Sequence, residues 1–82
     1  MPEQKFVDLI WPPNTEKDLA GYNVYRREDD SPFVRLNAAP ITMISFHDMD
    51  ITPGHKYFYA ITAVDRNGNE SARSAESAEE NP

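Results

Sequence analysis

The stretch Thr52-Pro53-Gly54-His55-Lys56-Tyr57-Phe58-Tyr59-Ala60-Ile61-Thr62-Ala63-Val64-Asp65 decides the fold. Proline then glycine is the order a type II turn favours: proline presets φ at the first central position and glycine accepts a positive φ at the second. The residues that follow, Tyr57 to Val64, carry the strongest strand signal in the chain. Aromatic and β-branched side chains dominate there. A period of two sets Tyr57, Tyr59, Ile61 and Ala63 on one face and Phe58, Ala60, Thr62 and Val64 on the other. Just beyond, Asn67-Gly68 supplies the positive φ of a tight hairpin.

Upstream, the same period recurs and no helical stripe is found. Val7-Asp8-Leu9-Ile10-Trp11 places Val7, Leu9 and Trp11 on one face, and Pro12-Pro13 ends the ladder because proline has no N–H to donate. Asn14 to Ala20 reads as a loop in which Glu16 to Leu19 could form one helical turn. Tyr22 to Arg27 is a second strand, with Tyr22 and Val24 on one face and Asn23, Tyr25 and Arg27 on the other. Glu28-Asp29-Asp30-Ser31-Pro32 is a turn. Phe33–Leu36 and Met43–Asp48 are short strands, and a last strand is expected from Glu70 fading through Ser77. Short strands with turn signals about every ten residues indicate an all-β sandwich or barrel.

These segments carry a family resemblance. Val7 to Trp11 followed by Pro-Pro, then Asp18-Leu19-Ala20-Gly21-Tyr22-Asn23-Val24-Tyr25-Arg26, resembles strands B and C of a fibronectin type III domain. The stretch from Thr52 to Asp65 resembles that family's E–F corner and strand F. Asn67-Gly68-Asn69-Glu70-Ser71 resembles the F–G turn of forms common in bacterial secreted and envelope proteins. The likeness covers roughly Phe6 to Ala75. It implies an immunoglobulin-like antiparallel β-sandwich of six to seven strands, forming a single domain over residues 1–82. Its core would span about 6–75, with 76–82 a frayed tail or linker. Leu9, Trp11, Tyr22, Val24, Tyr57, Tyr59 and Ile61 are the expected core. Trp11 fills the centre, and Tyr57 makes a tyrosine corner with its hydroxyl bonded to backbone near the E–F turn. Strand A of the family is short or missing, with Met1–Lys5 at most a stub, so strand B is an open edge where weak self-association is expected. Asp48 stands where many members are apolar and is expected to bond the backbone of the following turn.

Length and composition agree with one small core. Eighty-two residues bury about 63% of their unfolded surface by area scaling. The chain has no cysteine, which excludes disulfides, thiolate metal sites and cysteine nucleophiles. Fourteen acidic against eight basic residues give a formal charge of −6, which disfavours a phosphate backbone or an anionic membrane surface as partner. No apolar run approaches the ~20 residues of a membrane helix.

Candidate chemistry dissolves on inspection. Ser45, His47 and Asp48 hold the residue types of a triad, but Asp48 points to the opposite face from the other two. His47 with Asp48 and Asp50 does not converge on a metal, for the same reason. Asp65-x-Asn67-x-Asn69 begins like a calcium loop, yet Glu70 occupies the sixth position where glycine is needed. No cofactor, metal or catalytic group is expected, and the chain reads as no enzyme.

What remains is a binding surface: Tyr25 and Phe58 beside Arg27, Ala60 and Thr62 on the outer sheet face, and the F–G loop with Asp65, Arg66, Asn67 and Asn69. The blander reading makes Tyr25 and Phe58 a cross-strand pair covering each other. The expected role is a non-catalytic spacer or interaction module of a larger secreted or cell-envelope protein. Its partners would be neighbouring domains of the parent chain, with no nucleic acid and no membrane insertion. A competing reading is a protein- or carbohydrate-recognition module using the B–C and F–G loops or the Tyr25/Phe58 face.

Overall fold

The structure is a computed structural model. It describes residues 6–15, 17–29, 31–52, 54–74 and 77–80, the last four by their backbone. Among the described residues six strands follow one another: β1 (Val7–Ile10), β2 (Leu19–Glu28), β3 (Val34–Arg35), β4 (Ser45–Asp48), β5 (Lys56–Asp65) and β6 (Ser77–Glu80). All pairings are antiparallel. β1 and β4 form one sheet; β3-β2-β5-β6 form the other.

One core joins the two inner faces. Val7, Leu9 and Trp11 come from β1 and the residue after it, Tyr22 and Val24 from β2, and Tyr57 and Tyr59 from β5. Val24 and Tyr59 are the most deeply enclosed, at 0% and 1% exposure. Ile61 is partly buried and packs against this cluster. The Trp11 indole meets the Tyr22 ring edge-on, 5.5 Å between centroids, the geometry that ring quadrupoles favour.

Each inward tyrosine also uses its hydroxyl. Tyr22 accepts the N–H of Asn14 at 2.7 Å, tying down the loop after Pro12-Pro13. Tyr57 accepts the N–H of Thr52 at 2.7 Å, closing the turn ahead of β5. Tyr59 donates to the buried Asp48 carboxylate at 2.7 Å. Asp48 also accepts from Arg26 at 2.8 Å and from the N–H of Asp50 at 3.1 Å. The last bond is the one expected with the following turn. The first two are cross-sheet ties, because Asp48 lies on β4 and its partners on β2 and β5. Burial, and then the bond to Asp48, push the Tyr59 hydroxyl far above its ordinary pKa, so it stays a donor.

Side chains replace missing ladder bonds at two places. The Asn37 amide accepts the N–H of Val24 and donates to the carbonyls of Tyr22 and Ala39, serving as a strand segment beside β2. Gly21 lets Ile41 bridge to Tyr22 there; a Cβ on it would sit 2.8 Å from the Ile41 carbonyl oxygen. Beside β5, the hydroxyls of Ser71 and Ser74 accept the N–H groups of Ala63 and Ile61.

The second substitution corrects the reading of the chain's end. Instead of one strand from Glu70 to Ser77, Glu70 makes a single bridge to Val64, serines mediate the next contacts, and β6 starts at Ser77. Part of the expected frayed tail is therefore paired with Lys56–Tyr59. Leu19 and Ala20, read as the end of a loop, open β2 instead. The hairpin at Asn67-Gly68 also differs. Gly68 has φ of 85° but Asn67 stays in the ordinary region. The bond from the Gly68 N–H to the Asp65 carbonyl (3.0 Å) closes a four-residue turn rather than a two-residue primed one. Gly54 takes φ of 88°, as a type II turn requires. The possible strand A stub, Met1–Lys5, lies outside the described residues.

Replacing Trp11 by alanine removes the wedge between the sheets. The expected loss is about 3–5 kcal/mol, read by urea unfolding, a large share of the stability of so small a domain. Unchanged cooperative unfolding would place the centre of the core elsewhere.

Candidate functional site

The outer face of the four-stranded sheet is set by register. Arg27 pairs directly with Phe58, whereas Tyr25 stands opposite Ala60. The expected Tyr25–Phe58 pair is therefore not made. Arg27 covers Phe58, its guanidinium carbon 4.1 Å from the ring centroid. A second ring, Phe33, lies under both Arg27 (5.6 Å) and Arg73 (4.7 Å). Lys56 is 5.4 Å from the Phe58 centroid. The sequence reading missed Phe33, Lys56 and Arg73, because they reach this face from a loop, a strand end and the segment after Glu70.

Tyr25 belongs to a different cluster, centred on Glu70. One carboxylate oxygen of Glu70 accepts from the Tyr25 hydroxyl, the Thr62 hydroxyl and the Asn23 amide (3.1 Å). The bonds from Thr62, then Tyr25, then Asn23 hold Glu70 below the ordinary carboxylate range, and the same contact raises Tyr25. Thr62 and Asn23 are buried at 3% and 4% exposure although they face outward. An open depression of about 560 Å³ lies between Tyr25, Glu70 and Arg73.

The F–G loop is held by its own first residue. Asp65 accepts the N–H groups of Asn67 and Asn69, both at 2.9 Å, and the Asn69 side-chain amide at 3.1 Å. Those Asn69 bonds keep the Asp65 carboxyl below its ordinary value. The Arg66 N–H reaches the Asp18 carbonyl at 2.8 Å, joining the B–C and F–G loops. The calcium-like spacing thus organises backbone. No group of three His, Asp or Glu suited to a metal occurs among the described residues.

The triad residue types are likewise engaged elsewhere. His47 contacts the Asp8 carboxylate across the β1–β4 ladder, while Asp48 faces inward to Arg26 and Tyr59. A groove of about 470 Å³ runs between β1 and the Ser71–Ser74 segment, walled by Leu9, Trp11, Tyr22, Ile61 and Ala72. The Trp11 indole N–H is buried beside it without a partner among the described residues.

This geometry has a solved counterpart. A Fn3-like protein from Clostridium thermocellum superposes with a TM-score of 0.73 at 32% identity, over 90% of this chain and 74% of that one. The chain belongs to the fibronectin type III-like family. No protein-family model matches it. The domain is 41% identical over 70 residues to an amylopullulanase of Thermoanaerobacter thermohydrosulfuricus, 85% of this chain but 5% of that protein. It is 38% identical over 56 residues to a poly(3-hydroxybutyrate) depolymerase of Delftia acidovorans, 68% of this chain and 10% of that protein. The fibronectin type III-like domain thus spans a small fraction of the curated relatives it matches.

The Glu70 cluster makes stability depend on acid. Its carboxyl is depressed in the folded state, so the contribution is complete above the unfolded value and lost as pH falls through the folded one. The thermal midpoint should therefore drop as pH is lowered from neutral past the ordinary glutamate value of 4.5. Glu70→Gln should be less stable at neutral pH and show a flatter acid limb. An acid limb identical to the parent's would remove Glu70 from this role.

Proposed function

We propose that this domain is a non-catalytic accessory module of a larger protein exported to the cell envelope or beyond. Within that protein it acts as a rigid spacer and docking element beside a domain that does the chemistry. One observation carries the reading: the same module is a minor segment of two enzymes whose names denote different polymers. A part common to unlike activities fits a mechanical role better than a reaction. The hydrogen bonding supports rigidity, since Asp48, Asp65, Glu70 and Asn37 all bind groups within the domain.

Recognition of a neutral glycan is the weaker reading. Phe58 and Phe33 each carry two cations over the ring, where a pyranose would need open aromatic surface. Exchange of the module in its parent protein tests the spacer role. An unrelated β-sandwich of similar span should preserve turnover on the polymer, and a short flexible linker should lower it while sparing small soluble substrates. Equal damage from both replacements, or hydrolysis by the isolated domain, would overturn the reading.

A further inference from the structure

The cations and rings of the outer sheet face form a continuous row: Lys56, Phe58, Arg27, Phe33 and Arg73, each cation over at least one ring. The row brings together β2, both the start and the third position of β5, the residue before β3, and the segment after Glu70. It holds three of the chain's eight basic residues. On a chain with fourteen acids, such grouping gathers cations on one face, with Glu80 opposite Lys56 in the β5–β6 ladder as the acid nearest in register. Ala60 lies on the same face at 1% exposure, so the sheet is closed there, while Arg73 borders the depression beside Tyr25 and Glu70.

The chemistry selects the partner. A guanidinium over an aromatic ring is held by the ring quadrupole, which limits the side-chain entropy lost when it binds something else. Its planar N–H fork matches a carboxylate, with Lys56 as a point charge alongside. Arg27 already donates to the Asp29 carbonyl and spans both rings, which makes it the organiser of the row. Arg73 and Lys56, at its two ends, are the contacts offered outward.

We propose that this row is a docking surface for an acidic stretch of polypeptide, with carboxylates seated at Arg73 and Lys56. Charge complementarity and the carboxylate-shaped donor set favour that occupant. A segment of the same long polypeptide would also be present at high effective concentration. The inference deepens the docking half of the function proposed above, and module exchange in the parent protein reports on that function separately.

The test is a fluorescence-anisotropy titration of the 82-residue chain with a labelled oligoglutamate peptide, at low and high salt. Polygalacturonate and a neutral glucan serve as parallel probes. The peptide should bind and weaken as salt is added. Arg73→Gln and Lys56→Gln should each weaken it about two- to fivefold, with near-UV circular dichroism unchanged. Lys17→Gln, in the loop before β2, should bind as the parent does. No peptide binding, equal binding by all variants, or preference for polygalacturonate or the glucan would each overturn the proposal.

Discussion

The buried carboxylate of Asp48 is the constraint on which this sandwich depends. A two-stranded sheet such as β1–β4 has little stability alone and must be fastened to something larger. Asp48, 4% exposed, does so by accepting from Arg26 on β2 and Tyr59 on β5. A carboxylate so enclosed is tolerable only because three donors surround it, the third being the N–H of Asp50. Arg26 in turn donates to the Asp50 carbonyl and lies over the Tyr57 ring. Turn, sheets and tyrosine corner thus meet at one residue.

The same economy recurs away from the core. Among the described residues, β3 and β6 pair with only parts of β2 and β5. Asn37 beside β2, and Ser71 and Ser74 beside β5, provide side-chain partners in their place. At the far end, Asp65 does the same for the F–G loop. Polar residues that would suggest chemistry in isolation are here occupied with architecture, and the outer face carries the cation–aromatic row.

Much of the fold was legible because it rests on alternation. Val7, Leu9 and Trp11, then Tyr22 and Val24, then Tyr57 and Tyr59, share faces by period, the family resemblance turns those faces inward, and they lie inward. Asp48's bond to its following turn was also readable, since short carboxylates commonly act that way. The tie to Arg26 was not read, although Arg26 is in phase with Tyr22 and Val24, and a cation in an inward phase demands a buried acid. The end of the chain was misjudged because Ser71 and Ser74 make ladder bonds with hydroxyls, which no strand pattern reports. The outer face was read one register step off: Tyr25 and Phe58 share a face, but only pairing reveals that Arg27, not Tyr25, stands opposite Phe58.

The most direct test of this account is a double-mutant cycle between Asp48 and Arg26, using Asp48→Asn and Arg26→Gln and the stability of all four proteins in urea. Losing one partner of a buried pair should cost about 3–5 kcal/mol. The double variant should be much less damaged than the sum of the singles, giving a coupling of about 1–3 kcal/mol. Strictly additive losses would mean that the Arg26–Asp48 pair does not fasten the two sheets.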